Sequence, residues 1–354
     1  MVACNLSVNV NERFRVSNSF AQSVLQPLVR GTHLERDAAR DALAEILAGR
    51  VDAVLVASFL TALTAKGETV AEMTGFVDAM LDASTPLRVS EDAIDIVGTG
   101  GDQLHTVNIS TMASLAVAGC GVRVAKHGNR AASSSVGAAD VLEALGVRID
   151  VTPDIIVDSL REAHIAFIFA PVYHPGLGHM TPIRRALRFR TIFNVLGPLA
   201  NPARVSRSLI GVGQSHLLDS MSEVLATRGV ARAILVHGDD GLDELSLDTT
   251  SSLRTVSAGR VVASEVDAGN LLGVRHRVDA IRGGDTSENV AVVRRFLEAT
   301  PGPVMDVVCA NAGLALMVAG VATSLDDGFT RAIESVVGGH AATALERLIE
   351  VSNS

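Results

Sequence analysis

The sequence predicts an α/β protein: a small N-terminal all-helical domain, then a larger α/β domain with a mainly parallel central sheet flanked by helices. Two observations carry this. From Asn18 to Ala83 the apolar residues recur with helical spacing and no strand run appears. After Leu87 short β-branched runs alternate with helical segments, the pattern of a parallel sheet covered by helices.

In order along the chain, residues 1–17 are polar, weakly periodic and read as a tail without an apolar signal core. Residues 18–86 form the helical domain. Thr32-His33-Leu34-Glu35 has the spacing of a capping box, and Leu43, Ile46 and Leu47 then share one helical face. Val54, Leu55, Phe59 and Leu63 mark a second helix, and Met73, Phe76, Val77 and Met80 a third. Residues 87–354 form the α/β domain. Its expected strands are Ile94–Val97, Val122–Ala125, Ala166–Phe169, Leu209–Val212, Ala233–His237 and Val304–Val308. Helices fit at Met112–Ala118, Ala138–Leu145, Pro153–Ala163, His216–Ala226 and Asn289–Ala299. Residues 174–205, rich in Pro, Gly and Arg, interrupt the alternation and are expected to cross back to the helical domain.

Composition narrows the function classes. The 354 residues are 48% hydrophobic and 19% charged, enough for a sizeable core. Aromatics are 3%, with no Trp and a single tyrosine, Tyr173, so packing rests on small aliphatic side chains. A net charge of −9 argues against a broad nucleic-acid-binding face. Cys4, Cys120 and Cys309 are too scattered for a disulfide framework or a zinc site. The most apolar C-terminal stretch, Ala312–Ala322, is too short to span a bilayer, so a cytoplasmic protein is expected.

The chemistry concentrates at strand ends. Ile94–Val97 runs into Gly98-Thr99-Gly100-Gly101-Asp102, a turn whose glycines let a ligand approach main-chain N–H groups. It is neither a dinucleotide-binding fingerprint nor a Walker loop, since Gln103 replaces the next glycine and no Gly-Lys-Ser follows. Taken alone, such a turn is equally explained by backbone geometry. Asn108-Ile109-Ser110-Thr111 follows at a helix start, where polar side chains either cap the helix, bond phosphate oxygens or hold Mg2+. Lys126-His127-Gly128-Asn129-Arg130 reads as a loop at a strand end, with Ser133-Ser134-Ser135 before the next helix. A solvated basic turn is its plainer reading; its position on the same strand-end face favours an anion site. Asp243-Glu244 are adjacent carboxylates, costly in a core and suited to Mg2+, or else a wet acidic loop like Asp239 and Asp240. His174 is a loop histidine, and Arg184 and Arg185 are candidate partners for a carboxylate between which the sequence does not choose.

These segments, with Arg190-Thr191-Ile192-Phe193-Asn194, Leu196-Gly197-Pro198-Leu199-Ala200-Asn201-Pro202 and Gly241-Leu242-Asp243-Glu244, occur in the order found in the anthranilate phosphoribosyltransferase family, which the chain resembles over roughly residues 20–350. The resemblance implies a homodimer formed through the helical domain, with an active site at the hinge between the domains. It implies phosphoribosyl pyrophosphate (PRPP) as donor, anthranilate as acceptor and two Mg2+ per site. Carried over by position, it places Gly98, Gly101, Asp102, Thr106, Asn108, Ile109, Ser110, Thr111, Lys126, His127, Gly128, Asn129, Arg130, Ser133, Ser134 and Ala138 around PRPP. Gly98, Asn129, His127, His174 and Arg184 would meet the acceptor, with Arg184 nearest its carboxylate. Ser110, Asp243 and Glu244 would hold metal. Gly98 would leave room where the ribose C1 and the amine meet. The family often has a cation after Ser133-Ser134 and at the position of Gly178. This chain has Ser135-Val136 and Gly178, which implies a less basic and roomier pocket. Alternatives are transfer to another aromatic amine or acid, a nucleoside phosphorylase-like reaction, or a non-catalytic nucleic-acid-binding relative.

Overall fold

The computed structural model describes residues 16, 18–130 and 136–354. They divide into two units: residues through Thr85 with His174–Ala200, and Pro86–Tyr173 with Asn201–Ser354.

The first unit is helical. Arg36–Leu47, Ala53–Lys66 and Val70–Asp82 are its main helices, followed later in the chain by the short helices Thr181–Leu187 and Phe193–Leu196. Phe20, Phe59 and Phe76 pack edge to face, with ring centroids 5.6 and 5.8 Å apart, at the centre of its apolar core. Helices Arg36–Leu47 and Val70–Asp82 touch at Gly75, where a Cβ would collide with the Arg36 carbonyl. The expected capping box at Thr32–Glu35 is not formed. Glu35 occupies the N-cap position without a side-chain bond, and the box belongs to Thr69 and Glu72 instead. Glu72 is fully buried and completely bonded. It accepts from the Leu34 and Thr69 amides, each at 2.9 Å, from the Thr69 hydroxyl and from Lys66 Nζ at 2.9 Å. A carboxylate that ties two loops together outcompetes the local Thr32–Glu35 pattern.

The second unit carries a seven-stranded sheet in the order β3-β2-β1-β4-β5-β6-β7. The strands are β1 Ile94–Gly98, β2 Val124–Gly128, β3 Ile165–Phe169, β4 Arg207–Gly211, β5 Arg232–Gly238, β6 Ser251–Ser257 and β7 Arg260–Val266. The first five run parallel, and β6 and β7 add antiparallel at one edge. This is the mainly parallel sheet expected. The β6–β7 hairpin was not legible: its strands are half polar, and Ala258 and Gly259, at φ 49° and 71°, form a tight turn of the kind that suits a hairpin. Val304–Val308 is not a strand. It lies in helix Pro303–Ala319, begun by Pro303 and closed by Gly320 at φ 81°, with most of its residues buried and none exposed. A helix that is apolar all round has no polar face to betray its period, so a short window reads as a strand. No helix among the described residues is long and apolar enough to cross a membrane.

From β1 the chain builds outward to β2 and β3 on one side, then returns to β4 on the other side of β1, so β1 sits at the switch point of the sheet. Its two sides differ. β1 and β4 pair residue for residue from Ile94 with Arg207 to Gly98 with Gly211. Toward β2 the ladder holds only Ile94 opposite Val124. Beyond it, side chains replace backbone bonds. Asp95 accepts from the His127 amide at 3.1 Å, Lys126 Nζ donates to the Ile96 carbonyl at 2.7 Å, and Asn201 Nδ2 donates to Ala125 O and Asp95 Oδ2. The sheet therefore opens between β1 and β2 at its carboxyl end.

Candidate functional site

Strands β1, β2, β4 and β5 all end in glycine, at Gly98, Gly128, Gly211 and Gly238. The reason is explicit at the central pair. A Cβ on Gly98 would stand 2.6 Å from Asp243 Oδ2, and one on Gly211 would collide with the Asp243 carbonyl. The two glycines thus let the segment after β5 lie directly across the ends of β1 and β4. Gly98 meets the Asp243 carboxylate, a reason for glycine other than the space for reacting atoms that the sequence suggested. The turn then wraps the same carboxylate: Gly100 N–H donates to Asp243 Oδ2 at 2.7 Å, with Gly100 and Gly101 at φ 62° and 82°.

The wrap brings three carboxylates together. Asp102, Asp243 and Glu244 each offer an oxygen within 4.8 Å of the others. Burial, then the Asp243 charge, pushes the Asp102 carboxyl up to about 6. Burial, then Asp243 and Asp102, raises Glu244 well above the usual carboxylate range, and its Oε2 is buried without a hydrogen-bond partner. Such a group is destabilised as an anion trio and satisfied by a divalent cation, whose hard-oxygen preference it meets. Asp102, expected among the PRPP residues, thus joins Asp243 and Glu244. Ser110, expected as a further ligand, takes the Lys126 ammonium on its Oγ at 3.1 Å. Asp240, expected as a solvated loop residue, instead accepts from the Ser246 hydroxyl at 2.7 Å and shapes the turn before the trio.

Lys126 flanks the carboxylates. It lies inside β2 rather than in a loop, because β2 begins two residues later than expected; His127 and Gly128 share the strand with it. Lys126 is 2% exposed, and burial lowers its ammonium to about 8 against the opposing pull of Asp95 and Glu244. Asp95, also buried, is raised to about 6 by desolvation. Gly128 has no room for a side chain, since a Cβ would stand 2.6 Å from the Phe167 ring. Asn129 is exposed, and Arg130 pairs with Asp140 and Glu143 over the Phe169 ring. Ala138 opens helix Ala138–Ala144, while Ser133, Ser134 and Ser135 lie outside the described residues. At the head of helix Ile109–Gly119, Asn108 takes the N-cap position. Its Oδ1 and the Thr111 hydroxyl are buried without partners, polar atoms placed for a ligand where the helix dipole favours an anion.

The helical unit supplies the other expected residues. Arg184 lies 5.5 Å over the Phe193 ring and is half-buried, whereas Arg185 is exposed, so the structure distinguishes the two arginines. His174 is neither surface nor free: it is 3% exposed, with Nε2 2.9 Å from the Ala200 carbonyl, and burial lowers its pKa. Gly178 has nothing within 4 Å of a would-be Cβ, and with Arg185 and Arg188 it lines a cavity of about 910 Å³.

Three residues escaped the sequence reading. Asp95 and Asn201 hold the β1–β2 opening. Asn311, from the helix misread as a strand, bonds both backbone groups of Leu245, at 2.9 and 3.1 Å, and so fixes the residue after Glu244. A buried Asn in an otherwise apolar run is the signal that could have found it.

Comparison with known proteins agrees with this geometry. The glycosyl transferase family a/b domain matches residues 90–342 and the helical bundle domain of the same family matches residues 22–84. The chain is 46% identical over 339 residues to the anthranilate phosphoribosyltransferase of Thermomicrobium roseum, covering 94% of this chain and 97% of that protein. The crystal structure of the Thermus thermophilus anthranilate phosphoribosyltransferase superposes with a TM-score of 0.87 at 39% identity, covering 93% of this chain and 99% of that one. The Saccharomyces cerevisiae enzyme in complex with PRPP and Mg superposes with a TM-score of 0.84 at 25% identity, covering 95% and 99%. On this similarity and the motifs that carry it, the chain belongs to the anthranilate phosphoribosyltransferase family.

Proposed function

We propose that this protein transfers the phosphoribosyl group of PRPP to the amine of anthranilate, giving N-(5-phosphoribosyl)anthranilate and pyrophosphate, the second step of tryptophan biosynthesis. The observation that carries this reading is the Asp102–Asp243–Glu244 trio laid across the strand-end glycines, with Lys126 at its flank. A phosphorylase-like reaction has no comparable need for buried carboxylates. We further propose a cytoplasmic homodimer assembled through the helical unit.

The trio, with Ser110, would hold Mg2+, two ions per site in this reading, and the bound metal would neutralise the pyrophosphate leaving group. The chain's own groups bind and orient. The Gly101–Asp102 end of the turn and the helix start at Ile109, with Asn108, Thr111 and Lys126, surround the donor phosphates. Thr106, the Lys126–Arg130 segment and Ala138 border the ribose and its phosphates; the resemblance assigns Ser133 and Ser134 to the same ligand. Anthranilate's amine is neutral and nucleophilic at pH 7, so no strong base is required. Arg184 pairs with the acceptor carboxylate, and Gly98, Asn129, His127 and His174 line its approach. Attack on C1 from the face opposite the leaving group inverts the anomeric centre, and catalysis is positioning plus electrostatics.

Loss of anthranilate fluorescence on mixing protein, PRPP, Mg2+ and anthranilate tests the reading; the absence of Trp keeps the protein's own emission low. Turnover should need all three components. Donor binding without turnover would point to another aromatic acceptor. Arg184→Ala should lower kcat/KM for the acceptor about 100-fold, the worth of a charge-assisted bidentate pair, with donor affinity nearly unchanged. Equal losses for both substrates would remove Arg184 from the acceptor role.

A further inference from the structure

The turn that carries Asp102 continues into a strained segment. Gln103 and Leu104's other neighbour His105 both adopt left-handed backbone, at φ 60° and 54°, uncommon for side-chain-bearing residues. With Gly100 and Gly101, four residues between 100 and 105 are left-handed. Such a conformation persists only where its surroundings impose it. Here a second segment does so. The Val107 amide donates to the Ile281 carbonyl at 3.0 Å, the Gly283 amide donates to the His105 carbonyl at 2.8 Å, and Thr106 and Arg282 form an antiparallel bridge.

This strap is itself pinned at both ends. At one end the Val278 amide donates to Asp248 Oδ2 at 3.0 Å and Arg275 pairs with Asp267. At the other, Asn289, 3% exposed, accepts the Gly284 amide on Oδ1 at 3.3 Å. A Cβ on Gly283 would stand 2.6 Å from Asn289 Oδ1 and 3.0 Å from the Thr106 carbonyl, so the strap fits between them only as glycine.

We propose that Asn289 and the Ile281–Gly284 strap are positioning elements for the donor: they complete a ladder with His105–Val107 and so hold the wound turn that presents Asp102 and Thr106 to PRPP and its metal. The inference rests on the phosphoribosyl-transfer reading. It assigns the strap a part in donor affinity and none in acceptor recognition.

Asn289→Ala removes the pin, and Gly283→Ala disturbs the strap from the other side. Each should raise KM for PRPP, and Kd for PRPP with Mg2+ measured by calorimetry without acceptor, at least tenfold. The acceptor KM should change less than twofold and the melting temperature by only a few degrees. Hydrogen exchange on the unaltered protein gives a second measurement that needs no variant. Peptides over 103–107 and 278–284 should gain protection together when PRPP and Mg2+ are added, and not with anthranilate alone. Unaltered donor affinity in both variants, equal losses for donor and acceptor, or a strap whose exchange ignores the donor would overturn the proposal while leaving wild-type turnover intact. Failure of the wild type to bind PRPP would instead sink the reading on which the proposal rests, and the proposal with it.

Discussion

The helical unit and the carboxyl end of the sheet are built on opposite terms. Among the described residues through Thr85, the buried side-chain polar atoms of the helical unit all find partners inside the fold. Apolar faces meet around Phe20, Phe59 and Phe76, and the buried carboxylate, Glu72, has each oxygen bonded and a cation beside it. At the sheet end the same physics is left incomplete. Three carboxylates crowd together, Asn108 Oδ1, Thr111 Oγ1 and Glu244 Oε2 are buried without partners, and Gln103 and His105 sit in left-handed backbone. A protein retains unsatisfied buried groups where a ligand completes them. The contrast separates residues that hold the fold from residues that wait for substrate, and substitutions in the two regions should behave differently.

The largest effect should come from Asp243→Asn with Glu244→Gln. Removing two charges relieves repulsion, so the folded protein should become no less stable, while Mg2+-dependent turnover falls at least about 1000-fold. A thermal melt alongside the fluorescence assay checks both halves. Retained activity would move the metal elsewhere, and a large loss of stability would erase the contrast. The opposite behaviour is expected of Glu72→Ala. It leaves the Leu34 and Thr69 amides without that acceptor and Lys66 without its carboxylate, with only the Gly67 carbonyl and His33 still beside the ammonium, and breaking such a buried pair costs about 3–5 kcal/mol. Denaturant unfolding should show that loss, with KM values for the remaining folded enzyme unchanged.

The same division explains what could be read from sequence. The helical unit was legible because helix Arg36–Leu47 has one apolar face and no strand run interrupts the span, and β1, β3, β4 and β5 because β-branched runs alternate with helical segments. Helix Pro303–Ala319 was not, since burial on all sides removes the period. The β6–β7 hairpin was not, since its half-exposed strands lack an apolar run. At the site, the glycine turn and Asp243-Glu244 announced themselves as types. That Asp102 joins the trio follows only from the turn's wrap around Asp243. Asp95, Asn201 and Asn311 act on backbone groups distant in sequence, and no local spacing encodes such bonds.

A smaller effect should appear in pH dependence. Burial lowers Lys126 to about 8, so its charge is present below that pH and lost as pH rises through it. Kd for the donor should therefore be flat below about pH 7.5 and rise by up to tenfold per pH unit above about 8. Lys126→Arg keeps the charge at every accessible pH. That variant should bind PRPP more weakly throughout but lose the alkaline limb. A wild-type profile flat to pH 9.5 would show that the donor site does not depend on this ammonium.

The smallest expected effect is Thr69→Ala, and it is the most discriminating of the structural class. Thr69 caps helix Val70–Asp82 by accepting the Glu72 amide at 3.2 Å, and its hydroxyl donates back to Glu72 Oε2 at 3.1 Å. Alanine removes the cap but leaves Glu72 bonded to Leu34 and Lys66, so the loss should be that of one N-cap, about 1 kcal/mol. The melting temperature should drop by only a few degrees, with kcat and both KM values unchanged. The reason for such a modest figure is redundancy: Glu72 has four donors, and losing one hydroxyl leaves no buried charge unpaired. A loss near that of Glu72→Ala would mean that the network fails as a unit. In that case the helical unit, too, would depend on buried polar groups more than on its aromatic core.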